Sequence, residues 1–297
     1  MGKNPPPDEL DFGIVAGQHY RDWPEILEQF QWADESGWDS AWAFDHFFSL
    51  RKDDELGICH EGWVLLAALA RETRNVQLGL MVTGITHRPP AVLFKQVVTL
   101  DHVSDGRLIF GVGAAWHARE HAAYGLEFPS PRERVDRFGE VMEMYRLLET
   151  QERTTFNGAH YQLDNAPFEP KPVNGHVPIM VGSTGRRMLR HVARYADQWD
   201  GGGTPEEYAA MGERLNQLCQ EIGRDPGAVR WALDSGAAAL ESESAFRAHV
   251  AAYAAVGVRS FLFDIPRGTP SPTMRSIADD VIPELRARFR EGTLVSN

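Results

Sequence analysis

Cysteine is nearly missing from this 297-residue chain: Cys59 and Cys219 are the only two, 160 positions apart and without a C-x-x-C pair. That excludes a disulfide-stapled secreted scaffold, a zinc ribbon and a thioredoxin-type site, and leaves two reduced thiols. Long apolar runs are missing too; blocks such as 64–70 are far short of the roughly 18 residues that cross a bilayer. The first ten residues, MGKNPPPDEL, lack the apolar segment of a signal peptide. Basic charge is scarce: 30 Lys and Arg stand against 42 Asp and Glu, a net charge of −12, with only small clusters at Arg186, Arg187 and 286–290. Such a surface repels phosphate backbones and anionic lipid, so the expectation is a cytoplasmic protein that binds neither nucleic acid nor membrane. With 43% hydrophobic residues the chain can bury a large core.

Short runs that are apolar on both faces, as buried parallel strands are, alternate with longer amphipathic stretches. Strands are expected at 12–16, 40–44, 76–82, 107–112, 178–181, 198–201, 229–233 and 260–263. Helices are expected at 24–36, 62–72, 90–103, 132–148, 186–195, 205–222, 244–256 and 274–290. A doubly wound open sheet more often stops at about five or six strands. Eight alternating units in fewer than 300 residues therefore point to an α/β fold, the (β/α)8 TIM barrel, as one domain over 1–297. One segment breaks the rhythm. Residues 151–177, after the fourth helix, carry the turn signals Asn157-Gly158 and Asn174-Gly175 and read as an insertion with a β-hairpin that covers the barrel mouth.

In such a barrel the active site is built by the loops that follow the strands. Three histidines, His46, His87 and His117, sit on three consecutive strand ends and converge on one mouth. Asp45-His46 is the sharpest of these sites, either a proton donor and acceptor or a hydrogen-bonded brace of its loop. Gly182-Ser183-Thr184-Gly185 joins a strand to a helix, where close backbone approach and free N–H groups suit a phosphate, with Arg186 and Arg187 adding positive charge. An ordinary helix cap through Ser183 or Thr184 explains the same residues. Gly111-Val112-Gly113 fails as a dinucleotide fingerprint, because Trp116 occupies the third glycine slot. His117, Glu120 and His121 spell H-x-x-E-H, a zinc-hydrolase pattern that needs a further acidic ligand such as Glu140 or Glu143. Aromatics around these loops, among them Trp42, Phe44, Phe47, Phe48, Trp63 and Trp116, suit core, mouth lining or a flat ring ligand alike.

Six stretches taken together carry a resemblance: AFDHFF at 43–48, EGWVLLAALA at 61–70, VTGITHRPPA at 82–91, LDHVSDGRL at 100–108, GVGAAWHAREH at 111–121 and VGSTG at 181–185. With these the chain resembles the luciferase-like monooxygenase family and, within it, the oxidoreductases that use the deazaflavin coenzyme F420. The likeness is dense over 11–200 and thins to general barrel pattern beyond. The resemblance implies hydride transfer between F420 and a small organic substrate, with His46 moving a proton. It implies a cofactor site of Asp45, Val82, Thr83, Gly84, Ile85, Gly113, Ala114, Ala115, Gly182, Ser183, Thr184 and Gly185. A non-proline cis peptide behind the ring is expected within 82–85, where Gly84 makes it sterically reasonable. An FMN-dependent two-component monooxygenase is the close rival, since both rings need the same cavity and one phosphate nest. A catalytically silent flavin-binding subunit is a third reading, and a homodimer is a family expectation. The sugar-phosphate dehydrogenases of the family carry a Glu after the Gly-x-Gly turn, where this chain has Ala115-Trp116. That carboxylate proton partner is missing, so their activity is not expected. The H-x-x-E-H string also resembles a recurring family pattern, which weakens the zinc reading.

Overall fold

In the computed structural model, which describes residues 9–50 and 55–294, the alternation closes on itself. Strands β1 (Asp11–Val15), β2 (Ser40–Ala43) and β3 (Gln77–Leu80) precede a two-residue strand β4 (Thr83–Gly84) and then β5 (Leu108–Gly113). A hairpin of β6 (Arg153–Asn157) and β7 (Gln162–Pro167) intervenes before β8 (Ile179–Gly182), β9 (Gln198–Gly201), β10 (Arg230–Asp234) and β11 (Ser260–Asp264). The parallel order β3-β2-β1-β11-β10-β9-β8-β5 returns to its start where Leu78 pairs with Leu108 and Gly79 with Ile109. The eight-stranded barrel expected from the alternation is formed, and every expected strand lies within two residues of an observed one.

Outside the ring run α1 (Trp23–Glu35), α2 (Gly62–Glu72), α3 (Pro90–Val103), α4 (Ala118–Tyr124) and α5 (Pro131–Thr150). They are followed by α6 (Met188–Tyr195), α7 (Pro205–Glu221), α8 (Glu243–Ala255), α9 (Pro272–Ser276) and α10 (Ile282–Arg290). Several begin with a proline in the first turn behind a hydroxyl cap, Ser130 for α5 and Thr204 for α7, where Glu207 completes a capping box. Such a proline costs no hydrogen bond and the cap satisfies an orphan N–H.

The core has two layers. Strand residues such as Phe12, Phe110 and Phe261 pack outward against the helices. The lumen is filled by Val15, Trp42, Met81, Ile109, Met180, Ala232 and Leu262. Trp42 fits there because Gly79 has no side chain: a Cβ would stand 2.1 Å from the indole. This plug makes the mouth a shallow bowl rather than a pore.

Three expectations are corrected. The last helix, expected to be continuous over 274–290, is split by a π turn at Ile277–Val281. Pro283 has no N–H to give and its ring would meet the carbonyl four residues earlier, so the register widens by one residue. The hairpin expected at Asn157-Gly158 is formed, but its loop runs past His160 and Tyr161, since Asn157 pairs with Gln162 and leaves four residues between them. The Glu140 carboxylate accepts from the N–H groups of Ala159, His160 and Tyr161 and thereby sets this wider loop. Nor does the segment cover the mouth. It leaves from the C-terminal end of α5, opposite the catalytic rim, and is tied there by Lys171 Nζ to the Leu148 carbonyl and by the Val173 N–H to Asp101.

Candidate active site

The loops after β2, β3 and β5 are locked together by two buried carboxylates. Asp45, directly beyond β2, receives a bidentate Arg88 guanidinium, with both N···O distances 2.7 Å, and faces His87 Nδ1 at 3.3 Å. Burial pulls its carboxyl up, but the hydrogen bonds from Arg88 and His87 outweigh that and hold it below the ordinary aspartate range. The sequence reading placed Asp45 on the cofactor; the structure makes it instead a buried clamp that lies outside the cavity.

The second carboxylate is Glu120 in α4, fully buried. Its Oε2 lies 2.9 Å from His46 Nδ1, and its Oε1 accepts from the Phe47 N–H at 2.6 Å. Burial pulls Glu120 up, yet the His46 bond and the Phe47 amide hold it below the usual glutamate value. An ionised carboxylate only accepts, so His46 carries its hydrogen on Nδ1 and presents Nε2 as the group free to take or give a proton. No carboxylate follows the Gly-x-Gly turn, where Ala115 and Trp116 stand as read from the sequence, but α4 delivers Glu120 to His46 from behind. The sequence showed Glu120 only as the possible base of a zinc motif, and nothing in its spacing announced the fold-back.

That zinc motif is not assembled as spelled. His121 uses Nε2 on Thr86 Oγ1 at 2.7 Å and Nδ1 on the His117 carbonyl at 2.9 Å. Glu140 is engaged by the hairpin turn. A different trio, His46, His117 and Glu120, does bring one ligand atom each within 4.8 Å of one another. Its Glu120 oxygens, however, already serve His46 and Phe47.

Above the Trp42 plug opens a cavity of about 390 Å³, within the few hundred cubic ångströms usual for ligand sites. Of the expected residues, His46, Val82, Gly84, Gly113, Ala114, Ala115, Gly182, Ser183 and Thr184 line it. His87 and His117 line it too, so the three expected histidines do converge. Thr83 does not; its hydroxyl is buried and takes the Trp63 indole N–H at 3.1 Å. Ile85 is buried under the bulge and Gly185 lies on the open surface. Of the aromatics read as core, mouth lining or ring contact, Trp116 lines it, and residues not foreseen as site members are Met81, Met188, Asp200 and Gly201.

The back wall is irregular backbone. The Met81–Val82 peptide is cis, one bond earlier than the expected 82–85, and Thr83–Gly84 then re-pairs with Val112 and Gly113. A Cβ on Gly113 would stand 2.9 Å from Val82 Cγ2, and one on Gly84 3.1 Å from the Ala115 methyl. Larger residues at either glycine would fill the wall, which is otherwise flat and apolar.

In the 182–185 loop two N–H groups are already committed: Ser183 N to the Asp200 carbonyl at 2.9 Å and Gly185 N to Ser183 Oγ at 3.0 Å. Those of Thr184, Arg186 and Arg187 donate to nothing among the described residues. Orphan donors at the start of α6 are what a phosphate or carboxylate satisfies. The loop thus holds a nest one step later than the glycines suggested.

Opposite His46, Asp200 at the rim of β9 is pushed up to about 8 by burial and by the neighbouring Asp234 carboxylate. His19, stacked on Phe44 at 5.2 Å, is pushed down to about 4 by burial, His46 and Arg21, and is neutral near pH 7.

The family model for luciferase-like monooxygenases matches residues 9–286. An F420-dependent glucose-6-phosphate dehydrogenase of Amycolatopsis mediterranei is 32% identical over 176 residues, 58% of this chain and 51% of that protein. The chain therefore spans about half the length of the curated relatives it matches. Among solved structures, an F420-dependent secondary alcohol dehydrogenase in complex with an F420-acetone adduct superposes with a TM-score of 0.82 at 19% identity, covering 90% of this chain and 97% of the other. A riboflavin lyase with modified FMN and riboflavin gives 0.77 at 14% identity, covering 97% and 96%. These two likenesses establish the barrel and nothing finer.

Proposed function

Since the chain belongs to the luciferase-like monooxygenase family, we propose that it is an oxidoreductase that transfers a hydride between coenzyme F420 and a small organic substrate. The carrying observation is one cavity with a flat glycine-lined wall on one side, orphan N–H groups on another and the Glu120–His46 pair between them. Bound there, the deazaflavin supplies the hydride chemistry. Val82, Gly84, Gly113, Ala114 and Ala115 would support its ring, and the N–H groups of Thr184 and Arg186 its phosphate.

The chain's own part is proton handling and positioning. Glu120 fixes the His46 tautomer, so that Nε2 removes the hydroxyl proton of an alcohol as it is oxidised, and in the reverse direction the imidazolium form, bonded through Nδ1 to Glu120, returns a proton from Nε2 to the substrate oxygen. Trp116 and His117 meet the His46 ring edge-on at 5.9 and 6.0 Å and narrow its approach from solvent. Relatives named for F420 carry the choice of cofactor. The FMN monooxygenase remains the competing reading, because ring and phosphate would meet the same wall and nest. A sugar phosphate is not carried over from those relatives, since Asp200 lines the cavity with Asp234 as its charged neighbour and no Lys or Arg is among the described residues that line it.

Among the described residues no helix is long and apolar enough to cross a membrane. The reading includes a homodimer acting in the cytoplasm; Val64 and Val92, 72% and 50% exposed on α2 and α3, supply an apolar face for pairing. The test is titration of the purified protein with F420 and with FMN, followed by fluorescence, then reduction of F420 by candidate alcohols followed at the deazaflavin band. Micromolar F420 binding with weaker FMN binding is expected. Tight FMN binding with oxygen consumption and no affinity for F420 would replace this proposal by the monooxygenase.

A further inference from the structure

Large apolar side chains stand uncovered around the catalytic histidine. Leu56 is 96% exposed and Trp116 65%, and Ile58 and Tyr124 are exposed with them. Short contacts tie the loops that carry them to His46. Cys59, next to Ile58, gives its thiol hydrogen to the His46 carbonyl at 3.3 Å. Trp116 meets the His46 ring edge-on, and Tyr124 donates its hydroxyl to the Phe47 carbonyl at 3.2 Å while its ring stacks on Phe48 at 6.2 Å. The charge beside Leu56 is already answered: Arg119, 5.8 Å over the Phe48 ring, pairs with Glu55 at 2.9 Å. Trp116 belongs both to this rim and to the cavity wall. Apolar surface therefore continues from the reacting histidine out to solvent, and such a surface gains from whatever covers it.

We propose that the substrate is an alcohol with a long apolar chain, or the matching carbonyl compound, whose oxygen meets His46 Nε2 while its chain leaves the cavity over Trp116 toward Leu56 and Ile58. The inference rests on the oxidoreductase reading above and adds the class of substrate to it. In oxidation the carbinol carbon gives its hydrogen as hydride to the oxidised cofactor, the hydroxyl proton goes to His46 Nε2, and the carbon–oxygen bond becomes double; reduction runs the same transfers backward. A methylene chain asks for no hydrogen bonds, and the side chains of Trp116, Leu56 and Ile58 offer none beyond the indole N–H. A sugar laid there would leave its hydroxyl groups to water alone. A methylene wholly hidden from water tightens binding about fourfold, and one laid on a rim with its other side wet about twofold.

The experiment is a series of 2-alkanols, from 2-butanol to 2-decanol, given to the full chain. Initial rates of F420 reduction should show kcat/KM climbing about twofold per methylene. Calorimetric titration of the same alcohols into the chain without cofactor should show the same gradient in Kd. Leu56→Ser/Ile58→Ser should hold 2-butanol within about twofold of wild type and flatten the gradient among the longer members. Trp116→Ser should flatten it from the shorter members on. Ile222→Ser, beyond the C-terminal end of α7 and away from the mouth, should leave the gradient as it is. A wild-type series flat in both measurements, with short alcohols still reducing F420, would overturn the inference and leave the oxidoreductase reading standing. Graded binding with no reduction of F420 by any member, FMN being bound tightly, would overturn that reading and keep the apolar chain. An unchanged gradient in the double serine variant would overturn the inference as well, and a shift of oligomeric state in that variant would then assign the rim to a second copy of the chain.

Discussion

The two halves of the barrel mouth handle buried charge in opposite ways. On the side of β2, β3 and β5, both carboxylates have partners: Asp45 has Arg88 and His87, Glu120 has His46 and the Phe47 amide, and both are held below their ordinary range despite burial. On the side of β9, β10 and β11, Asp200 and Asp234 accept only from backbone amides among the described residues, Asp234 faces both Asp200 and Asp264, and all three are raised. Arg21 adjoins Asp264, but its guanidinium hydrogen-bonds the Gly17 and Ile265 carbonyls. The paired side has fixed charge and one set tautomer, as a proton-transfer site requires. The unpaired side carries raised acids, Asp264 at about 6 and Asp200 at about 8 among them, and so changes its charge with the medium. Cofactor and catalytic histidine belong to the first side in this reading, and the second faces whatever enters.

The largest effect expected is on the paired side. Arg88→Met leaves the Asp45 charge buried without its partner and should lower stability by about 3–5 kcal/mol, read from urea unfolding. Adding Asp45→Asn should restore a large part of that loss, because no bare charge is left. If the single variant costs under about 1 kcal/mol, the clamp is not what holds these loops. Next is Glu120→Gln. The amide lets His46 place its hydrogen on Nε2 instead of Nδ1, so single-turnover hydride transfer should fall about 10²-fold while F420 affinity stays within about twofold. Glu120→Asp should recover part of the rate. Equal losses of rate and affinity would make Glu120 a scaffold residue and not a positioning one.

The fold was readable because its signals are local. Buried parallel strands announce themselves as short two-sided apolar runs, and prolines behind hydroxyl caps mark helix starts, so the ring could be counted from residues alone. Local signals also led to His46, Gly182, Ser183 and Thr184, which the fold places around one cavity. They failed wherever a side chain reaches across the mouth. Asp45 looked like a ligand residue because nothing near it in sequence shows Arg88, 43 positions on, folding back as its partner. Glu120 is 74 positions from His46, and H-x-x-E-H advertises zinc more loudly than a hydrogen bond at that separation. The hairpin was foreseen and its place was not, since the signals for a turn say nothing of which end of α5 it leaves from.

The smallest effects lie on the acidic side, where the sign is set by raised acids. A carboxyl whose folded value exceeds its unfolded one contributes its full stability below pH about 4 and loses it as pH climbs to the folded value. For Asp200 the loss runs up to about pH 8. Asp200→Asn, which still accepts from the Asp234 N–H, should therefore match wild type near pH 4 and exceed it by about 2 kcal/mol at pH 9. Asp264 is raised only to about 6, by burial and Asp234 against the pull of Arg21. Asp264→Asn should gain about 1 kcal/mol, complete by pH 7 and flat above. Unfolding curves at pH 4, 7 and 9 separate the two, since only the Asp200 variant keeps gaining beyond neutrality. The comparison of the two halves would collapse if both variants lost stability with rising pH in parallel with wild type, because these acids would then be solvated like any others on the surface.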